Sequence, residues 1–282
     1  MKLSINYSVL TLVAILLFGC QEEVTLPLGE KDAPVPIVEG YWTDQGPYNE
    51  VKFGFSQDYY DTTGFVPITD ASIEIVSLST GQSFPFIYVN GTKSYKPVNP
   101  NRTGKIGESY ALKINWKDQE YIAQGELLAP PILDSLTWKF EEERPFRDAG
   151  YYVKVYGKIP FVENNNYRIR VIENDTLKNQ REDYLLFDDT FGLRFFEQGL
   201  ELGYGFKEND RVRLELFRLN QDAFDYLNQL VNLLFNDGGL FSPPPQNPTS
   251  NIQVSKGGGE VLGYFAVTPV LVRTLVIQEK YD

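Results

Sequence analysis

Period-two alternation of apolar and polar residues runs through most of the chain. In "ASIEIVSLSTGQSFPF", Ala71, Ile73 and Ile75 share one face and a turn follows at Thr80-Gly81. "SYALKINWKDQEYIAQGELLAP" sets Tyr110, Leu112, Ile114 and Trp116 against Ala111, Lys113, Asn115 and Lys117. It turns at Lys117-Asp118-Gln119 and returns through Tyr121 and Ala123. Successive strand side chains point to opposite faces, so this pattern predicts half-buried strands joined as hairpins. With the aromatic and β-branched stretch at Val35–Phe55, it predicts an antiparallel β-sandwich over residues 37–128.

Pro130-Pro131 in "LLAPPILDSL" cannot continue a central strand, which places a module boundary there. Strands resume in "SLTWKFEEE", "YYVKVYGKI", "YRIRVIEN", "DYLLFDD" and "RVRLELFRL". In the last of these, Val212, Leu214 and Leu216 face one way while Arg211, Arg213 and Glu215 face the other. One segment changes period. Phe224, Leu227, Leu230, Val231 and Leu234 form a helical stripe, predicting an amphipathic helix over 220–235 packed on the second sheet. Asn220 is placed to cap it, Asp222 sits near its positive end, and Gly238-Gly239 follow it. "GEVLGYFAV" and "VLVRTLVIQE" read as closing strands, and Gly257–Gly259 as a turn without the Lys-Ser/Thr of a phosphate loop. The expected fold is mainly β: two β-sandwich-like modules, 37–128 and 129–282, with one helix in the second.

The first residues follow different rules. Lys2 is the one charge before Cys20, and "VLTLVAILLF" is too short for the roughly 20 residues that span a bilayer. Positive start, short apolar run and small residue before a cut site describe an export signal over 1–19. "Leu17-Phe18-Gly19-Cys20" looks like a bacterial lipobox, in which the cysteine is acylated and becomes the new N-terminus; an ordinary secretory peptide is the competing reading. Residues 20–36 mix charge with prolines and read as a tether behind the lipid.

Composition narrows the chemistry. Cys20 is the only cysteine, so a disulfide within one chain is excluded. There is no histidine, which removes Ser-His-Asp catalysis, His-ligated metal and the imidazole base. No metal or other cofactor is expected. A net charge of −12 argues against nucleic acid and against adsorption to an anionic membrane, leaving the lipid as the means of attachment. Acid pairs remain as catalytic raw material: Asp58 and Asp61, Glu141–Glu143, Asp188-Asp189. Among 38 acids such pairs arise without function, and strand neighbours point apart. Most aromatics, including Tyr41-Trp42, Trp116, Trp138 and Tyr151-Tyr152, alternate with aliphatics as core residues do. Tyr59 and Tyr60, in "SQDYYDTTG", are the pair placed most readily at a surface, as candidate partner or ligand contacts. Pro243, Pro244 and Pro245 force an extended segment, either a rigid connector or a preset recognition loop.

In combination these pieces resemble domain-of-unknown-function family 4249, Bacteroidota outer-membrane lipoproteins commonly encoded beside TonB-dependent receptors. The resemblance rests on the lipobox, "IVEGYWTDQGPYNEVKF", "DASIEI", "GESYALKI", "PPILDSL", and "SPPPQNPTSNI" followed by "GYFAV". It implies an N-terminal module of immunoglobulin-like or transthyretin-like type and supplies no catalytic residues. It also implies that Gln21, Glu22 and Glu23 after the lipidated cysteine act as a surface-export signal, with a periplasm-facing anchor as the alternative. The leading expectation is a non-catalytic, lipid-anchored outer-membrane partner of a TonB-dependent transporter. An independent glycan-binding or adhesin module and a carboxylate hydrolase are the competing classes.

Overall fold

The computed structural model describes residues 34–57, 64–188, 193–236 and 246–279. The protein is mainly β, as the alternation predicts. Strand β1 (Pro36–Thr43) passes through a 3-10 turn, Gly46–Tyr48, into β2 (Glu50–Phe55). Then come β3 (Val66–Pro67), β4 (Ser72–Ser77), β5 (Ser83–Val89), β6 (Ser94–Pro97), β7 (Ser109–Trp116) and β8 (Gln119–Glu126). Beyond the two prolines lie β9 (Ile132–Glu141), β10 (Gly150–Lys158), β11 (Tyr167–Glu173), β12 (Thr176–Leu177) and β13 (Leu185–Phe187). Helix α1 (Leu193–Gln198), β14 (Leu200–Glu201), β15 (Arg211–Arg218) and helix α2 (Gln221–Leu234) follow. The described chain closes with β16 (Gln253–Lys256), β17 (Leu262–Thr268) and β18 (Val270–Val276).

The hairpins fall where the pattern puts them. Ile73 and Ile75 of β4 are buried, and Gly81 supplies a left-handed φ of 70° in the turn to β5. Tyr110, Leu112 and Ile114 point into the same core, and β7 pairs with β8 from Ser109↔Glu126 to Trp116↔Gln119. That core centres on Trp42, fully buried, with the Phe84 ring at 5.0 Å and the Tyr110 ring at 5.8 Å.

Strand partners cross the expected boundary. The first sheet runs β16-β8-β7-β4-β5-β6-β2-β1-β17, so two strands expected in the second module join the first. β17 lies parallel to β1, from Ile37↔Leu262 to Thr43↔Thr268, and β16 runs antiparallel to β8. Alternation identifies a strand and its two faces, and both faces of β17 are buried, leaving no polar side to reveal its partner. Phe265 and Val267 enter the first core, while Tyr264 and Ala266 meet α2. Consequently α2 packs on β17 at the junction of the two parts, through Ala223, Phe224, Tyr226 and Leu227, rather than on the second sheet alone. Asn220 occupies the N-cap position without capping; its Nδ2 donates to the Glu126 carbonyl at 2.9 Å instead. Gly125 permits that approach, because a Cβ there would lie 2.4 Å from Asn220 Oδ1.

A strand edge inside a protein needs partners for its main-chain groups. On β17 side chains provide them. Asn251 Nδ2 donates to the Phe265 carbonyl (2.9 Å), Phe265 N–H donates to Asn251 Oδ1 (2.8 Å), and Ser250 Oγ donates to the Gly263 carbonyl (2.9 Å). From there the chain runs directly into β16 on the edge of β8, so residues 250–256 connect the two ends of the curled sheet.

The second part holds β14-β10-β9 and β12-β11-β15-β18, with β13 on β11, around a core that includes Val153, Tyr167, Ile169, Leu214 and Leu216. Arg218 ties it to the Pro130-Pro131 junction: its three guanidinium nitrogens donate at 2.9 Å to the carbonyls of Ala129, Glu163 and Asn164. Asn251→Ala removes both halves of the amide clasp and leaves the Phe265 N–H without an acceptor. It should lower unfolding stability by about 2 kcal/mol, read as a fall in the urea midpoint at unchanged slope; an unchanged midpoint would refute the clasp.

Candidate functional site

Alternation along β1 sends Val38, Gly40 and Trp42 into the first core and leaves Ile37, Glu39 and Tyr41 on its outer face. Opposite this face stand the alternate residues of β11 and β15: Arg168 and Arg170, then Arg213, Glu215 and Phe217. By period these read as a solvent-facing row, yet Glu215 is 1% exposed, Arg168 9% and Phe217 1%. The first sheet covers them. An aromatic at 217 among charges was the one local signal that this face is covered.

Two networks fill the seam. Glu215 accepts from Tyr48 Oη (2.8 Å) and pairs with Arg170 (2.9 Å) and Arg213 (3.3 Å). The second is a directed chain. Arg168 Nη1 donates to Tyr41 Oη (2.9 Å), the Tyr41 and Tyr264 hydroxyls lie 2.6 Å apart, and Tyr264 donates to Glu39 Oε1 (3.1 Å). A guanidinium only donates and a carboxylate only accepts, so Tyr41 must give its proton to Tyr264. Lys52 closes the chain at the surface, 3.2 Å from Glu39 Oε2. Burial, then the nearby Glu39 charge, pushes the Tyr264 hydroxyl well above its ordinary value. Burial and then Glu215 raise Tyr48 to about 12, so both phenols remain proton donors at neutral pH.

Two cavities open along the outer face of β1 and β2. One, of about 310 Å³, is lined by Tyr48, Glu50, Arg170, Arg213 and Glu215. The other, about 390 Å³, carries Ile37, Phe65, Thr92 and Lys93. Glu39 and Lys52 line both. Each is at the small end of the range for ligand pockets, roughly 300–1,000 Å³. Their carboxylates are engaged: Glu39 with Lys52, Glu215 with two arginines, and Glu50 with Ser94 Oγ (2.6 Å) and Lys96 (2.9 Å). Burial works to raise the Glu50 carboxyl, but Ser94, Lys96 and Lys52 outweigh it and hold it below its ordinary value. A general acid requires the opposite, a carboxyl kept protonated toward neutrality. Among the described residues no three acids converge as a metal site would require.

The described aromatics among those weighed as binding platforms pack into the cores. Tyr41, Trp42 and Tyr152 are buried, and Trp116 and Trp138 are half-buried, their Nε1 groups donating to Asp70 Oδ1 and the Gln278 carbonyl at 2.9 Å. In the 141–143 run, Glu141 is paired with Arg144 and Lys139. Cys20, Gln21, Glu22, Glu23, Tyr59, Tyr60, Pro243, Pro244 and Pro245 lie outside the described residues, as do Asp58, Asp61, Asp189 and the Gly238-Gly239 pair.

Strands β1, β2, β4, β7 and β17 fall on the segments "IVEGYWTDQGPYNEVKF", "DASIEI", "GESYALKI" and "GYFAV" that carry the family resemblance. The chain belongs to the DUF4249 family. The family model, described as a domain of unknown function, matches residues 21–274, which takes in both sheet systems of this DUF4249 chain. No curated protein matches it. Among the described residues, no helix of this DUF4249 protein is long and apolar enough to cross a membrane.

Glu50 generates a pH prediction. With its folded pKa depressed, its contribution to stability is present above its unfolded value, about 4.5, and is lost as pH falls through the folded value. Glu50→Gln should therefore flatten the fall of the urea midpoint below about pH 4.5 relative to the parent protein; superimposable acid limbs would contradict it.

Proposed function

We propose that this DUF4249 protein is a non-catalytic, lipid-anchored outer-membrane protein that serves as accessory or ligand-capture partner of a TonB-dependent transporter. The observation that carries the non-catalytic part is the state of the seam. Its carboxylates are matched by lysine, arginine or hydroxyl partners, and the chain has no histidine to act as base. The 310 and 390 Å³ cavities beside the Glu39–Lys52 pair suit capture of a small amphipathic ligand, since one is lined mainly by charge and the other in part by Ile37 and Phe65.

Anchoring rests on the sequence "LFGC" and on the export signal before it. Acyl chains contribute roughly 0.8 kcal/mol per buried methylene, so a multiply acylated Cys20 would hold the protein at the membrane through its lipid. Partnership with a transporter rests on the family resemblance, in which the genes commonly lie together. Acids at Glu22 and Glu23 favour the outward-facing leaflet.

Purification from detergent-solubilised outer membrane tests the whole reading. The parent protein should carry palmitate and bring a TonB-dependent receptor with it. Cys20→Ser should accumulate as unprocessed precursor without palmitate and without the receptor. Normal acylation of Cys20→Ser would refute the anchor, and recovery of the parent protein alone would refute the partnership.

A further inference from the structure

At the far end of the β9–β10 hairpin, Arg144-Pro145-Phe146-Arg147 forms a closed turn. Arg144 N–H donates to the Arg147 carbonyl (2.9 Å), and Arg147 N–H donates back (3.0 Å). Phe146 has φ +68°. With proline at the preceding position, a turn of this kind wants glycine or asparagine there, and a bulky residue is a true outlier. Its side chain is also fully exposed, at 109% relative accessibility. A large apolar group held in water on an unfavourable backbone gains nothing for the isolated fold.

The surrounding contacts keep the turn rigid. Arg147 lies 3.6 Å over the Tyr152 ring and 2.9 Å from Glu201, while Arg144 pairs with Glu141. Tyr152 Oη donates to the Asp148 carbonyl at 2.9 Å, and Gly150 packs against the Gly205 backbone. Strained conformations that the surroundings enforce cluster at active sites, ligand clamps and switch regions. A pre-ordered aromatic loses little entropy on burial, which is the property of an interface anchor.

Charge decides what kind of surface it meets. The basic groups near the tip, Lys139, Arg144 and Arg147, are engaged by Glu141 and Glu201 within the chain. Glu142, Glu143 and Asp148 are exposed and have no ion pair among the described residues. A tip with free acids is repelled by an anionic lipid surface and complements a protein rim of lysine or arginine.

We infer that this turn is a docking knob, with Phe146 seated in an apolar socket rimmed by basic residues on the transporter partner. The inference rests on the functional reading above, which supplies the partner. Full-length protein carrying p-benzoylphenylalanine at position 146, irradiated in intact outer membranes, should give an adduct with the receptor. Phe146→Ala should reduce receptor recovery about tenfold or more, the scale of an interface hot spot, while Phe146→Trp retains it. Phe146→Gly, which relieves the backbone, should lose recovery as Ala does yet unfold at the same or higher urea concentration. Glu142→Lys with Glu143→Lys should weaken recovery and reduce its sensitivity to salt. An adduct with lipid, or undiminished recovery with Phe146→Ala, would overturn the knob and leave the partnership standing. Absence of receptor with the parent protein would overturn the partnership and the knob together.

Discussion

Arg168 cannot give up its proton, and it is almost wholly enclosed between the two parts of the molecule. Burial opposes its charge, but the oxygens of Tyr41, Tyr264 and Glu39 outweigh that opposition and keep the guanidinium charged. Much of the surrounding architecture follows from satisfying this group. β1 must place Tyr41 against it, β17 must lie beside β1 to bring Tyr264 within 2.6 Å of Tyr41, and β2 must bring Lys52 to Glu39. Removing one member of a buried charged network typically costs about 3–5 kcal/mol, because the remaining charge loses its partner. The return of the chain to the first sheet is thus coupled to the charge of the second.

That coupling explains why some of the fold was readable from the sequence and some was not. Hairpins were readable, because Tyr110, Leu112 and Ile114 alternate with polar residues that do reach solvent or the rim. The helix was readable to within a residue at each end, 220–235 against Gln221–Leu234, since its stripe has one dry side. β17 was readable as a strand but not as a neighbour of β1. Glu215 and Arg168 follow the period of an exposed face and are nevertheless buried, because the sheet that covers them is formed by residues far away in sequence. Asn220 was placed correctly, but its amide serves the end of β8 rather than the helix.

The site follows the same logic. The seam required knowing which two faces meet, and Cys20 with the acids after it lies outside the described residues. Phe146 gave no cue at all: "RPFR" reads as an ordinary proline turn, and only its φ and its exposure set it apart. Inside the seam, Glu215 pairs with Arg170 and Arg213, and Glu39 with Lys52. At the hairpin tip, an apolar ring and three acids are left facing outward.

The Arg168–Tyr41 contact joins the two parts energetically as well as in space. A double-mutant cycle on urea unfolding, using Arg168→Met, Tyr41→Phe and their combination, measures it directly. The parent protein should unfold in a single cooperative transition, each change should destabilise it, and the two should couple by about 1 kcal/mol or more. Effects that add to within about 0.3–0.5 kcal/mol would contradict it.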